Sequence, residues 1–161
     1  MNREILFRAK KIDDGEWVEG YLFDDGLPKP KRFFIGRFGI YEYEGAPNQW
    51  AINRQDIAEI DLDTICQYTG LKTASGVRIW ENDIIAIATG ENGEEYRGLV
   101  EYEHSGFVIK WVNSDYLRTD LWYWANRPGA DVIGNAFDTP NLLSKESDSV
   151  VFHDFMKRGM E

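Results

Sequence analysis

From Glu4 to Lys10 the chain alternates with a period of two. Ile5, Phe7 and Ala9 fall on one side and Leu6, Arg8 and Lys10 on the other. That is the repeat of a β-strand with one strongly apolar face. Asp13-Asp14-Gly15 follows and reads as a hairpin turn, since glycine takes positive φ without steric cost. Trp17 to Phe23 resumes the strand. Asp24-Asp25-Gly26 and the two prolines of Leu27-Pro28-Lys29-Pro30 end it, because proline removes a backbone donor. Two short strands are expected at Arg32 to Ile35 and Ile40 to Tyr43, around Gly36 and Gly39. Residues 45–56, GAPNQWAINRQD, are polar and irregular. They read as a loop with Trp50 and Ile52 tucked back into the core, before a strand over Ile57 to Asp61. Asp61 and Asp63 suit a turn or a first helical turn.

The second half repeats the pattern. Ile84 to Ala88 is continuously apolar, as a buried strand is. Gly90 to Gly93 turns the chain. Tyr96 to Glu103 and Phe107 to Val112 pair across Glu103-His104-Ser105-Gly106, and Asn113-Ser114-Asp115 turns again. Leu121 to Ala125 holds Trp122, Tyr123 and Trp124, which are strong β formers, so a strand is expected there. Arg127-Pro128-Gly129 breaks it, and Asp131 to Phe137 is the last strand. Five strands in about fifty residues, joined by tight turns, predict a small antiparallel barrel. Thr139 to Leu143 reads as a short helical turn. In the tail, Val151, Phe152, Phe155 and Met156 share one helical face. A helix this short is marginal alone, so it is expected to dock on its own fold or on a neighbouring subunit.

The densest turn signals lie between the halves, from Thr64 to Ile85. Gln67, Tyr68, Thr69, Gly70 and Leu71 lead to a turn ended by Gly76. Ile79-Trp80 then precedes Glu81-Asn82-Asp83, a second turn that launches Ile84. This run resembles the YopX family, found mainly in phages and prophages of low-GC Gram-positive bacteria. That family's pattern is a Gln, an aromatic, Thr-Gly-Leu, a polar turn with Gly, then Ile-aromatic-Glu-Gly-Asp-Ile-Val. The matching positions are Gln67, Tyr68, Thr69, Gly70, Leu71, Gly76, Ile79, Trp80, Glu81, Asp83 and Ile84. The chain departs at Thr73-Ala74-Ser75, where the family is usually acidic or polar, and at Asn82, which stands where the family has Gly. Asn tolerates positive φ, so the turn survives the change. Phe7-Arg8-Ala9-Lys10 with Gly15 to Gly20 is similar to the family's opening hairpin. Val132-Ile133-Gly134-Asn135 with Pro140 and Leu142-Leu143 is similar to its closing motif. The resemblance covers roughly residues 1–143. It implies a mostly β fold, with an N-terminal β region over 1–66 and an SH3-like antiparallel barrel over 67–143; residues 144–161 lie outside it and read, from their periodicity, as a short helical tail. It carries no activity or catalytic residues.

Composition narrows the function classes. The 161 residues are 43% hydrophobic and 14% aromatic, enough for a packed core and too aromatic for a disordered acidic chain. A net charge of -10 disfavours broad binding to nucleic acid, which needs clustered Lys and Arg. The one cysteine, Cys66, sits in an apolar run and reads as a buried structural thiol, with no internal disulfide to make. No run approaches the roughly 20 apolar residues of a membrane span, and a cytoplasmic protein is expected.

His104 and His153 form no metal-ligand spacing, and no phosphate-binding glycine loop or nucleophile elbow is present, so no cofactor or metal is expected. Glu81 and Asp83 could do acid–base work, but a turn carboxylate accepting backbone N–H groups is the plainer reading. The aromatics Trp111, Trp122, Tyr123 and Trp124 are the candidate interaction surface. On a strand, Trp122 and Trp124 would share a face opposite Tyr123. They fit a core or oligomer interface; the alternative is a stacking platform for a nucleic-acid single strand. The expected role is non-catalytic: a protein-interaction module, self-associating or binding a protein partner.

Overall fold

The computed structural model describes residues 4–89, 94–112 and 118–144. Among them the chain is mostly β, with two antiparallel sheets and a few short helical turns. It divides into two compact units, Met1–Tyr68 and Thr69–Glu161. The tail positions Val151, Phe152, Phe155 and Met156 lie outside the described residues, as do the turns expected at Gly90 to Gly93 and Asn113 to Asp115.

In the first unit the alternation of the N-terminal residues produces β1 (Phe7–Lys10), which pairs with β2 (Trp17–Asp24) from Phe7↔Gly20 to Lys10↔Trp17. The turn between them uses Gly15 at φ 72°. β3 (Phe33–Glu42) and β4 (Trp50–Glu59) follow. β5 (Cys66–Lys72) pairs with the other side of β1, at Phe7↔Gln67 and Arg8↔Cys66. The sheet curls back on itself. Ile12 N–H donates to Glu59 O at 3.0 Å and Asp61 N–H to Lys10 O at 2.8 Å, so the end of β4 meets the end of β1. Ala9, Ile35 and Ile60 fill the interior, with Phe7, Val18, Leu22, Phe33 and Ile65 around them. Asp61 caps the 3-10 turn at Leu62–Thr64, its side chain accepting from Asp63 N–H.

Two expectations are corrected here. The short strands around Gly36 and Gly39 are one ten-residue strand, β3. The loop expected over residues 45–56 is instead the tip of a hairpin and most of β4. Arg37↔Gln55, Ile40↔Ile52 and Glu42↔Trp50 pair across it. Polar residues of low β propensity sit in this strand because cross-strand pairing satisfies their backbone groups, and context overrides propensity. The register slips between Ile35 and Arg37. There Asp56 takes φ 52°, the mark of a β-bulge that bends and twists a strand.

The second unit holds the rest of β5, then β6 (Arg78–Trp80), β7 (Asp83–Thr89), β8 (Glu94–Glu103), β9 (Gly106–Trp111), β10 (Arg118–Asp120) and β11 (Ala130–Asn135). The five-stranded sheet runs β10-β9-β8-β7-β11. Its core gathers Ile79, Ile85, Ile87, Val100, Ile109, Trp111, Leu121, Ala125 and Ala130. No ladder joins β10 to β11 among the described residues, so the sheet is open and the closed barrel is not formed. A three-residue β10 is too short to bridge the gap. The strand expected at Leu121–Ala125 is also corrected: it is a single α-helical turn, α1. Leu121 and Ala125, four residues apart, are both fully buried. That i, i+4 burial stabilises a helix this short, and the β propensity of the intervening aromatics loses to it.

The strands of the first unit run unusually close at two glycines. A Cβ on Gly20 would lie 2.4 Å from Gly36 O, and one on Gly36 would lie 2.5 Å from Ile57 Cγ1. Gly20→Ala therefore forces backbone apart rather than a side-chain tip. It is expected to destabilise by about 2 kcal/mol or more, read as a lowered midpoint in urea unfolding. A midpoint unchanged from wild type would show that the strands separate freely.

Candidate interaction surface

The sequence-matched segment makes the fold. Tyr68 is buried; Thr69 is buried too, and its hydroxyl donates to Ile79 O at 2.7 Å. Gly70 and Gly76 hold φ 83° and 90°. Gln67 pairs with Phe7 across β1, Leu71 packs on the second core, and Ile79 and Trp80 are buried. The hairpin between β5 and β6 closes through Thr73 N–H to Val77 O at 2.8 Å. In the second turn Asn82 takes φ 64°. Asp83 is buried and its Oδ2 accepts Trp80 N–H at 2.8 Å. Of the two carboxylates offered for acid–base chemistry, Asp83 is thus a turn acceptor, and Glu81 sits half-buried beside it. The closing motif is equally structural. Asn135 Oδ1 accepts from Phe137 and Asp138 N–H, both at 2.9 Å, and Thr139 Oγ1 stands where a Cβ on Gly134 would go.

The four candidate aromatics do not form one surface. Trp111 belongs to the core. Trp124 is half-buried and meets Trp111 edge to face at 5.7 Å. One hydroxyl serves both indoles: Thr119 Oγ1 accepts Trp111 Nε1–H at 2.8 Å and Trp124 Nε1–H at 3.0 Å. Because α1 is a helical turn, Trp122 and Trp124 do not share a face as they would on a strand. Trp122 and Tyr123 are exposed, at 73% and 51%. The Arg127 guanidinium lies 4.0 Å from the centre of the Tyr123 ring and 5.0 Å from that of Trp124, a cation–π arrangement that fixes the turn.

A larger exposed surface lies in the first unit, and the sequence reading missed it. The β2–β3 pairing stops at Tyr21↔Gly36. Beyond it, among the described residues, β3 and β4 pair only with each other, as a two-stranded arm from Arg37↔Gln55 to Glu42↔Trp50. Side chains alternate across a strand, so Phe38, Ile40, Trp50 and Ile52 fall on one face. They are 38%, 65%, 61% and 65% exposed. Tyr43 N–H donates to Gln49 O at 3.0 Å, which makes Ile40↔Ile52 a non-hydrogen-bonded pair, the kind with the closest side chains. Tyr41 and Tyr43, on the other face, meet edge to face at 5.8 Å and are both half exposed. Phe38 touches Phe23, whose ring stacks on Phe34, so the apolar face continues onto the body of the unit. The usable signal was the pair of alternations flanking Gly45 to Gln49, which is a hairpin signature.

A cleft of about 690 Å³ also opens in the first unit, lined by Lys10, Lys11, Lys31, Arg32, Glu59 and Asp61 among others. Three of its cations, Lys11, Lys31 and Arg32, are held by the chain's own carboxylates. Arg32 Nε donates to Glu59 Oε1 at 2.8 Å, and its hydrogen bond and charge hold the Glu59 carboxyl below the usual range. Lys31 does the same to Asp24 and Lys11 to Asp14. Among the described residues no group of three His, Cys, Asp or Glu could hold a metal, and no helix is long and apolar enough to cross a membrane.

Comparisons with known proteins agree with this architecture. A family model described as YopX protein matches residues 6–144. The chain is similar to the crystal structure of protein EF1440 from Enterococcus faecalis, with 25% identity and a TM-score of 0.60, covering 88% of this chain and 99% of that one. No curated protein matches.

The shared hydroxyl yields a test. Thr119→Val keeps the shape and removes the acceptor of two indoles. A loss of about 1–3 kcal/mol of unfolding free energy is expected, with a shift in tryptophan emission. Unaltered stability and emission would mean that the two indole N–H groups find other partners.

Proposed function

The chain belongs to the YopX family, and on that premise we propose that it is a non-catalytic protein-interaction module whose working surface is the β3–β4 arm. The reading takes it as a phage- or prophage-encoded protein acting in the host cytoplasm. The observation that carries it is the apolar face of Phe38, Ile40, Trp50 and Ile52, held out on a ribbon with no third strand beside it among the described residues. A two-stranded hairpin is marginal alone, and contiguous exposed apolar patches mark interaction sites. Asp83, engaged in a turn, supports the non-catalytic side of the reading.

A second reading is favoured by Trp122 and Tyr123, exposed and braced by Arg127. It is single-stranded nucleic-acid binding by stacking on α1. Titration with a single-stranded oligonucleotide at low salt should then quench tryptophan emission. Trp122→Ala should weaken binding by about 1–3 kcal/mol. Absence of quenching at low salt sinks this reading.

For the main reading, the tagged full-length chain is recovered from host cells beside its Ile40→Lys and Ile52→Lys variants. Recovery of a protein partner, either a second, differently tagged copy or another protein, is expected to drop at least about tenfold in the variants, the effect of roughly 1.4 kcal/mol. Trp122→Ala should leave it unchanged. Recovery indifferent to both arm variants would remove the arm as the working surface.

A further inference from the structure

We infer that the arm's partner is a second copy of this chain, with the two arms packed apolar face to apolar face about a two-fold axis. This rests on the reading of the arm as the working surface and adds the identity of the occupant. Two observations point to a second copy.

The first is area. At the exposures of Phe38, Ile40, Trp50 and Ile52, and taking 150–250 Å² for a large side chain, the face offers roughly 450 Å² per copy. Two copies bring together about 900 Å². That is close to the apolar share, somewhat over half, of a standard interface of about 1,600 Å². An isologous contact needs a patch complementary to itself. A face whose centre is the Ile40↔Ile52 pair meets that need, since each isoleucine pair can pack on its symmetry mate.

The second is charge. The chain carries a net charge of -10, so two copies repel over most of their surfaces. Residues 45–53, GAPNQWAIN, contain no charged residue in a chain that is 29% charged. This uncharged stretch at the tip of the arm and the start of β4 adds no repulsion of its own where two like-charged copies meet.

The experiment is light scattering on the purified full-length chain through a dilution series, with Ile52→Lys and Ile40→Lys compared. Both positions lie outside the core, so far-UV circular dichroism should match wild type. The expected result is twice the mass of one chain for wild type and one chain's mass for each variant. An Ile52→Cys variant should form a covalent dimer on oxidation, because wild-type Cys66 is buried. A wild-type chain that is monomeric throughout the series overturns the inference, as does a dimer that persists in both lysine variants. If the purified chain is monomeric while recovery of a cellular partner still depends on the arm, the second copy is wrong and the interaction reading stands. If neither association depends on the arm, both fall.

Discussion

The first unit depends on how closely its strands approach at Gly20 and Gly36. With no side chain at either position, β2 lies against β3 with Gly36 O where a Cβ on Gly20 would stand, and the Ile57 side chain covers Gly36. At this point β2 has given its last pair to β3, and β4 inserts its bulge at Asp56. The close approach and the bulge together end the body of the sheet. Everything distal in β3 and β4 must continue as a ribbon, because no third strand reaches it among the described residues. The arm is thus a consequence of local packing, and its exposed apolar face is a consequence of the arm.

That geometry explains where free apolar surface does and does not occur. In the second unit the aromatics are mostly consumed. Trp111 and Trp124 share one hydroxyl and pack edge to face, while Leu121 and Ala125 anchor α1 in the core. The price of placing three aromatics on one helical turn is that only Trp122 and Tyr123 face outward, and Arg127 covers part of the latter. In the arm the pleat puts large apolar residues on both faces, and they stay exposed among the described residues. An exposed apolar ribbon is costly in water, which makes an occupant the physically economical solution.

The sequence made the β class, most strand positions and the turn chemistry legible. Each of those rests on short-range rules: alternation, glycine at positive φ, and proline as a breaker. Gly15, Gly70 and Gly76 all take positive φ, and Asp61 caps a turn as its position suggested. The misreadings share one cause. At residues 45–56 and at Leu121–Ala125 propensity pointed one way and pairing or burial the other. Asn53 and Gln55 are poor β formers, yet Gly39 and Arg37 across the ribbon hold them in a ladder. Trp122 and Tyr123 are good β formers, yet the i, i+4 anchors beside them make a helix.

The same distinction governs how the candidate site could be read. A core residue announces itself by apolar character, and so does an interface residue, so Trp50 and Ile52 looked like core when both are exposed. What separates the two cases is whether the strand has neighbours on its other side, which is a long-range property. The bulge at Asp56 decides it here, and its sequence trace is slight: an aspartate, which tolerates positive φ better than a β-branched residue, just before Ile57. The matched family segment poses the opposite problem. Asp83 could have done acid–base work, yet it is held by a backbone bond in a turn, and Thr69 and Asn82 likewise serve the fold. Polar residues between glycines therefore marked architecture, while the exposed apolar side chains of Trp50 and Ile52 lay in a stretch read as a polar loop. For this chain the informative question about a residue was how many strands flank it, ahead of what chemistry it carries.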